Sequence, residues 1–176
     1  MTSVVTVVGN PKAGSRTLAA ATALAEAVSM LLPSSVGRVI DLADIGAGLL
    51  APWALSAEAV DAVGSVRAAD VLIVATPTYK ASFTGLLKLL LDTLPADSLS
   101  NAAVIPLTVS AGPAHRHLAD WQLRPVLNEL GAVLPAPSLL LSESDFPKLP
   151  QLVEQYLAAH GKLIVAASAA LTGGYG

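Results

Sequence analysis

Ser15, Arg16 and Thr17 follow a β-branched run, Val4–Val8, and a short polar loop beginning at Gly9. An Ala- and Leu-rich segment that reads as a helix starts at Thr17. Strand, loop and helix start in this order form an anion site, because first-turn N–H groups lack intrahelical partners and sit at the positive end of the helix dipole. A phosphate there collects several backbone hydrogen bonds, and the two hydroxyls and the guanidinium add donors. A plain turn capped by Ser15 reads the same way from this stretch alone.

The spacing of Gly9 and Gly14 is that of a P-loop, but Ser15-Arg16 follows where Lys-Ser/Thr is required, and Lys12 lies inside the loop. The third apolar run, Val71–Ala75, ends in Thr76-Pro77 without an acidic residue for Mg²⁺. Nucleoside triphosphate hydrolysis is therefore not expected. No G-x-G-x-x-G occurs, so a dinucleotide fingerprint is absent as well.

A second candidate stretch is A-T-P-T-Y-K-A-S-F-T-G-L-L-K, Ala75 to Lys88. An aromatic ring at Tyr79, a cation at Lys80 and exposed backbone N–H groups suit a flat, electron-poor heterocycle with carbonyl acceptors. A third is Val109–Pro113, after the fourth apolar run. His115 and His117, spaced i, i+2, do not share a helix face and have no carboxylate at ligand spacing, so no metal site is expected. Asp41 and Asp120 belong to no recognisable acid/base pair and read as solvated or capping residues.

The elements that must position these loops alternate along the chain. Strands are expected at Val4–Val8, Gly37–Leu42, Val71–Ala75, Ala102–Val109 and Pro137–Leu141. Helices are expected at Thr17–Leu32 (stopped by Pro33), Ser56–Ala69, Thr84–Leu94, His115–Leu130 and Leu149–Leu171, the last fraying at Thr172–Gly174. Ala43–Trp53 reads as loop. Pro106 must sit at a bulge or where no ladder bond is lost, and Pro125 must kink its helix or open a new one. This alternation predicts an α/β fold, a doubly wound five-stranded parallel sheet with helices on both faces, in a single domain spanning residues 1–176. Such sheets bind ligands at the carboxyl ends of their strands, where the three loops lie.

The segment Ala75–Pro95 closely resembles the second flavin loop and following helix of the NAD(P)H-dependent FMN reductases, the flavodoxin-like enzymes that supply reduced FMN to sulfonate monooxygenases. G-N-P-K-A-G-S-R-T is similar to that family's phosphate loop, and Ala114–Leu127 to its segment after strand four. The resemblance implies a flavodoxin-like fold, FMN with NADPH or NADH, and hydride transfer from nicotinamide to flavin. It also implies roles. Ser15, Arg16 and Thr17 would hold the phosphate, and Asn10 and Pro11 would shape the loop. Pro77, Thr78, Tyr79 and Lys80 would lie along the isoalloxazine, supported by Ser82. Ser110, Ala111 and Gly112 would border its pyrimidine edge. The family usually has Thr-Gly-Gly at the positions of Val109, Ser110 and Ala111, so the added Cβ atoms are expected to crowd the ring or shift the loop. Trp121 stands where relatives often carry His or Tyr, to stack on a ring or meet another subunit. No side chain need act as a catalytic acid or base. An FMN-bound quinone, azo-dye or metal-ion reductase remains open, as does a flavodoxin-like carrier or binding protein without flavin.

Composition narrows the partners. Of 176 residues, 53% are hydrophobic and 13% charged, so extra surface must be covered and an oligomer is expected; the resemblance implies a homodimer or homotetramer. The Leu-rich helix Thr84–Leu94 carries apolar residues beyond one stripe and is the expected interface. Lys88 and Asp92 on it are spaced to pair. A net charge of −3 with ten scattered Lys/Arg gives no field for nucleic acid. The absence of cysteine removes thiol, disulfide and Fe–S chemistry. No apolar run reaches the ~20 residues of a membrane span, and no basic region precedes Val4, so a cytoplasmic protein is expected. The resemblance implies a flavin-dependent monooxygenase as a candidate partner.

Overall fold

In the computed structural model, which describes residues 1–32 and 34–173, five parallel strands form one sheet in the order β2-β1-β3-β4-β5. Pro33 and Gly174, two of the residues expected to end helices, lie outside the described residues. The strands are β1 Ser3–Val8, β2 Val36–Asp41, β3 Val71–Pro77, β4 Ala103–Ser110 and β5 Leu139–Ser142. Every residue of β3 and of β4 is buried, as the unbroken apolar runs require for strands covered on both faces. The helices are α1 Arg16–Leu31, α2 Leu42–Ile45, α3 Ala57–Arg67, α4 Gly85–Leu91, α5 Leu118–Glu129 and α6 Leu149–Thr172. Among the described residues no helix is long and apolar enough to cross a membrane.

Two cores sandwich the sheet. Ala20, Ala21, Leu24 and Val28 of α1 join Val153, Tyr156 and Ile164 of α6 on one face. Ala59 and Val66 of α3, Leu87, Leu90 and Leu91 of α4, and Leu123 and Leu127 of α5 cover the other. Each fully buried leucine contributes about 1.5–3 kcal/mol, so α4, only seven residues long, is held by its packing rather than by its length.

Several elements differ from the sequence expectation. Ala43–Trp53 is not all loop. Asp41 accepts a hydrogen bond from the Ala43 N–H at 3.1 Å and caps α2, and a 3₁₀ turn follows at Gly46–Leu49 with Leu49 buried. The expected helix His115–Leu130 is a short 3₁₀ turn, Pro113–His115, and then α5. Pro125 neither ends α5 nor opens a new helix. It lies on the exposed face of α5, as does Trp121, whose carbonyl loses its helical partner to the proline. Strand β5 begins two residues late because Pro137 has no N–H, its carbonyl accepts the Tyr156 hydroxyl at 2.8 Å, and Ser138 bonds Asp120. Asp120 is therefore buried, not solvated.

Pro106 resolves as the second alternative. It pairs with Val74 in unbroken register. Along β4, Val104 donates toward Val133 and Val109 accepts from Thr78, so even-numbered residues direct their backbone groups away from β3. The ladder with β5 starts only at Leu107, and no bond is lost at Pro106.

Registers Val8↔Ala75, Pro77↔Val109 and Ser110↔Ser142 bring the carboxyl ends of β1, β3, β4 and β5 to one edge. The reversal of strand order falls between β1 and β3, where the crevice for a ligand opens.

Candidate functional site

The loop after β1 is built by short-range bonds. Asn10 Oδ1 accepts from the Lys12 N–H at 3.0 Å, closing a tight turn, and Asn10 Nδ2 donates to Thr17 Oγ1 at 3.1 Å. Gly14 has φ +63°, a left-handed conformation that a Cβ disfavours. Ser15 Oγ accepts from the Leu18 N–H at 3.2 Å and caps α1, and the Ser15 carbonyl accepts from Ala19. The first-turn N–H groups of Arg16 and Thr17 are left for a ligand. The hydroxyls of Ser15 and Thr17 accept within the protein, and each keeps its own O–H to donate.

The loop after β3 is clamped against the first. Gly9 donates to the Ala75 carbonyl at 2.7 Å, and the Thr84 hydroxyl donates to the Gly9 carbonyl. Thr84 also caps α4, and its N–H donates to Thr76 Oγ1 at 3.2 Å. A Cβ on Gly9 would lie 2.6 Å from the Leu87 Cβ, so the glycine is what lets α4 seat there. Tyr79 and Ser82 exchange both backbone hydrogen bonds, at 2.8 and 3.0 Å, around Lys80 (φ 50°) and Ala81 (φ 64°). This tight two-residue turn puts two non-glycine residues in the left-handed region, a strain that such turns normally avoid with glycine.

The loop after β4 is held from below. Thr78 donates to the Val109 carbonyl at 2.8 Å. Ser110 Oγ donates toward the Leu141 carbonyl at 3.2 Å and that of Gly112 at 2.9 Å, so its added bulk is tied to β5. Gly112 has an extended φ of −158°, and a Cβ there would meet nothing within 4 Å.

Together these segments line an open cleft of about 350 Å³. Asn10, Ser15, Arg16, Thr17, Pro77, Thr78, Tyr79, Ser110 and Ala111 all border it. Pro11, Lys80 and Gly112 do not, and Lys80 stands at the exposed tip of its turn. Lys12, Gly14, Val109 and Glu143 border it too. Glu143 escapes a reading centred on three loops. It follows β5, and its Oε2 lies 2.6 Å from Arg16 Nη1. The available signal was the acidic run S-E-S-D leaving a fourth strand at the same edge.

The Glu143 backbone is well anchored. Ser142 is fully buried and forms a capping box with Asp145, whose Oδ2 accepts from the Ser142 N–H and hydroxyl and from Arg116 Nη2 at 2.7 Å. Burial opposes charge on Asp145, but the Ser142 bonds, Arg116 and Lys148 outweigh it and hold the carboxyl below its ordinary range. His117 sits at the N-cap position of α5 without capping through its side chain, and its ring stacks on Trp121 at 5.8 Å.

The donor set fits a flavin mononucleotide. First-turn N–H groups, a guanidinium and an exposed aromatic ring belong to residues lining one cleft, and Thr78, whose Oγ1 is buried without a partner, lines it too. A family model for NADPH-dependent FMN reductase matches residues 2–146. The chain belongs to the NADPH-dependent FMN reductase family. An FMN reductase (NADPH) of Pseudomonas aeruginosa is 34% identical over 97% of this chain and 92% of its own. The NADH-dependent FMN reductase SfnF of Pseudomonas fluorescens is 32% identical over 97% and 91%. A crystal structure of an NADH:FMN oxidoreductase in its apo form superposes with a TM-score of 0.84 at 33% identity, covering 99% of this chain and 92% of that one. The expected flavodoxin-like architecture and the flavin oxidoreductase class stand on these likenesses together with the 2-1-3-4-5 strand order.

Proposed function

We propose that this chain binds FMN across the β1/β3 edge and reduces it with NADPH or NADH. FMN supplies the hydride-accepting ring, and the protein supplies position and electrostatics. The first turn of α1, with Ser15, Arg16 and Thr17, holds the phosphate, and Asn10 braces the loop. Pro77, Thr78 and Tyr79 run along the ring, with Thr78 Oγ1 donating or accepting toward the ribityl or ring edge. Ser110 and Ala111 border the pyrimidine side, while Pro11, Lys80 and Gly112 stand next to lining residues and act through the loops they belong to. No side chain is required to move a proton during hydride transfer.

One observation carries this reading. A helix N-terminus with an arginine, an exposed tyrosine, and Thr78 with its buried, unpartnered hydroxyl line one cleft at the strand-order reversal. The relatives named above use NADPH in one case and NADH in the other, so either reductant fits this chain. The reduced FMN would leave for a flavin-dependent monooxygenase. Anaerobic mixing of protein, FMN and NADPH or NADH should bleach the flavin in step with nicotinamide oxidation. Nicotinamide oxidation that proceeds with a quinone or azo dye but never with FMN would move the reading to those acceptors.

We also propose a homo-oligomer. Of the α4 leucines, Leu87, Leu90 and Leu91 are buried and Leu86 and Leu89 half-buried, so its spare apolar surface is smaller than its leucine content suggests. Leu50 and Trp53, both exposed, follow the 3₁₀ turn in which Gly46 packs on Leu86. They extend the apolar surface beside α4 that a second copy would cover.

A further inference from the structure

Glu143 is the one acidic residue among those lining the cleft, and its carboxylate is on the arginine that the phosphate needs. Nothing in the binding of an anion calls for a carboxylate at that place. A phosphate monoester near neutral pH carries close to two negative charges. It meets Glu143 as a like charge and a rival for the same guanidinium.

The placement is built into the fold. The Ser142–Asp145 capping box and the Arg116–Asp145 pair fix the backbone on either side of Glu143. Its side chain takes no part in that capping and reaches across to Arg16, and both side chains are more than half exposed. An exposed ion pair of this kind is weak and exchanges readily.

We propose that Glu143 is an internal competitor for the flavin phosphate. Its carboxylate pairs with Arg16, gives up the guanidinium when a phosphate monoester binds, and stays close enough to repel that ligand. Affinity for FMN is thereby kept low enough for the flavin to exchange as a substrate. A flavin without phosphate leaves the Arg16–Glu143 pair intact and feels no such cost. This rests on the reading that Arg16 meets the phosphate.

The test is titration of FMN and riboflavin, by quenching of flavin fluorescence, against wild type, Glu143→Gln and Arg16→Ala at low and high salt. Glu143→Gln keeps the size of the side chain and removes its charge. It should tighten FMN about tenfold at low salt, leave riboflavin unchanged, and lose most of that gain at high salt. FMN binding that is unchanged or weakened in Glu143→Gln, or a gain shared equally by riboflavin, would overturn the competitor role. Arg16→Ala separates the two ideas. If it weakens FMN alone while Glu143→Gln does nothing, only the competitor fails. If it weakens both flavins equally, the phosphate assignment fails and the competitor falls with it.

Discussion

Gly9 and Thr84 show how single residues set the site. The glycine makes room for Leu87, and the threonine hydroxyl bonds the Gly9 carbonyl while capping α4. Gly9→Ala should cost about 1–3 kcal/mol of stability, and Thr84→Val about as much by leaving buried backbone groups unpaired. Urea unfolding reads both losses. The turn at Lys80-Ala81 points the other way. Both residues have positive φ, so Ala81→Gly should stabilise the chain by about 1 kcal/mol. A lowered urea midpoint in that variant would show that the turn is unstrained. The expected capping by Ser15 is present. The Lys88–Asp92 pair expected from its spacing is also present, at 2.6 Å. The partner of Arg16 was not legible, because a contact spanning more than a hundred residues leaves no local pattern.

At the scale of elements, the segment from Ser142 to Lys148 depends on one carboxylate. The Asp145 pKa is lowered in the folded chain, so its contribution is fully present above the ordinary carboxylate range and is lost as pH falls through the lower folded value. Acid unfolding of Asp145→Asn should therefore be flatter than that of wild type below about pH 4, with lower stability at neutral pH. Parallel acid curves for the two proteins would remove Asp145 from this role. The buried strands were readable because continuous β-branched runs have few alternative homes. The segment Ala43–Trp53 was not, since its glycines and proline suggest a loop while Leu42 and Leu49 bury themselves and force helical turns. Strand β5 was misplaced by two residues because the bonds that hold Pro137 and Ser138 come from α6 and α5.

For the whole molecule, the parallel sheet and the cleft at its carboxyl edge follow from the alternation of elements, and the register supplies what the alternation lacks. Four strand ends at one level place the loops after β1, β3, β4 and β5 around one cleft. The surplus of apolar residues belongs to the same scale. If the surface of α4 with Leu50 and Trp53 meets a second copy, Trp53→Glu should shift sedimentation from oligomer toward monomer, and an unchanged mass would free that surface of the role. FMN binding depends most on a phosphate held at the start of α1. Titration of FMN and riboflavin against wild type and Arg16→Ala tests it directly. Arg16→Ala should weaken FMN by at least about tenfold and leave riboflavin nearly unchanged. Equal losses for both flavins, or none for either, would contradict it.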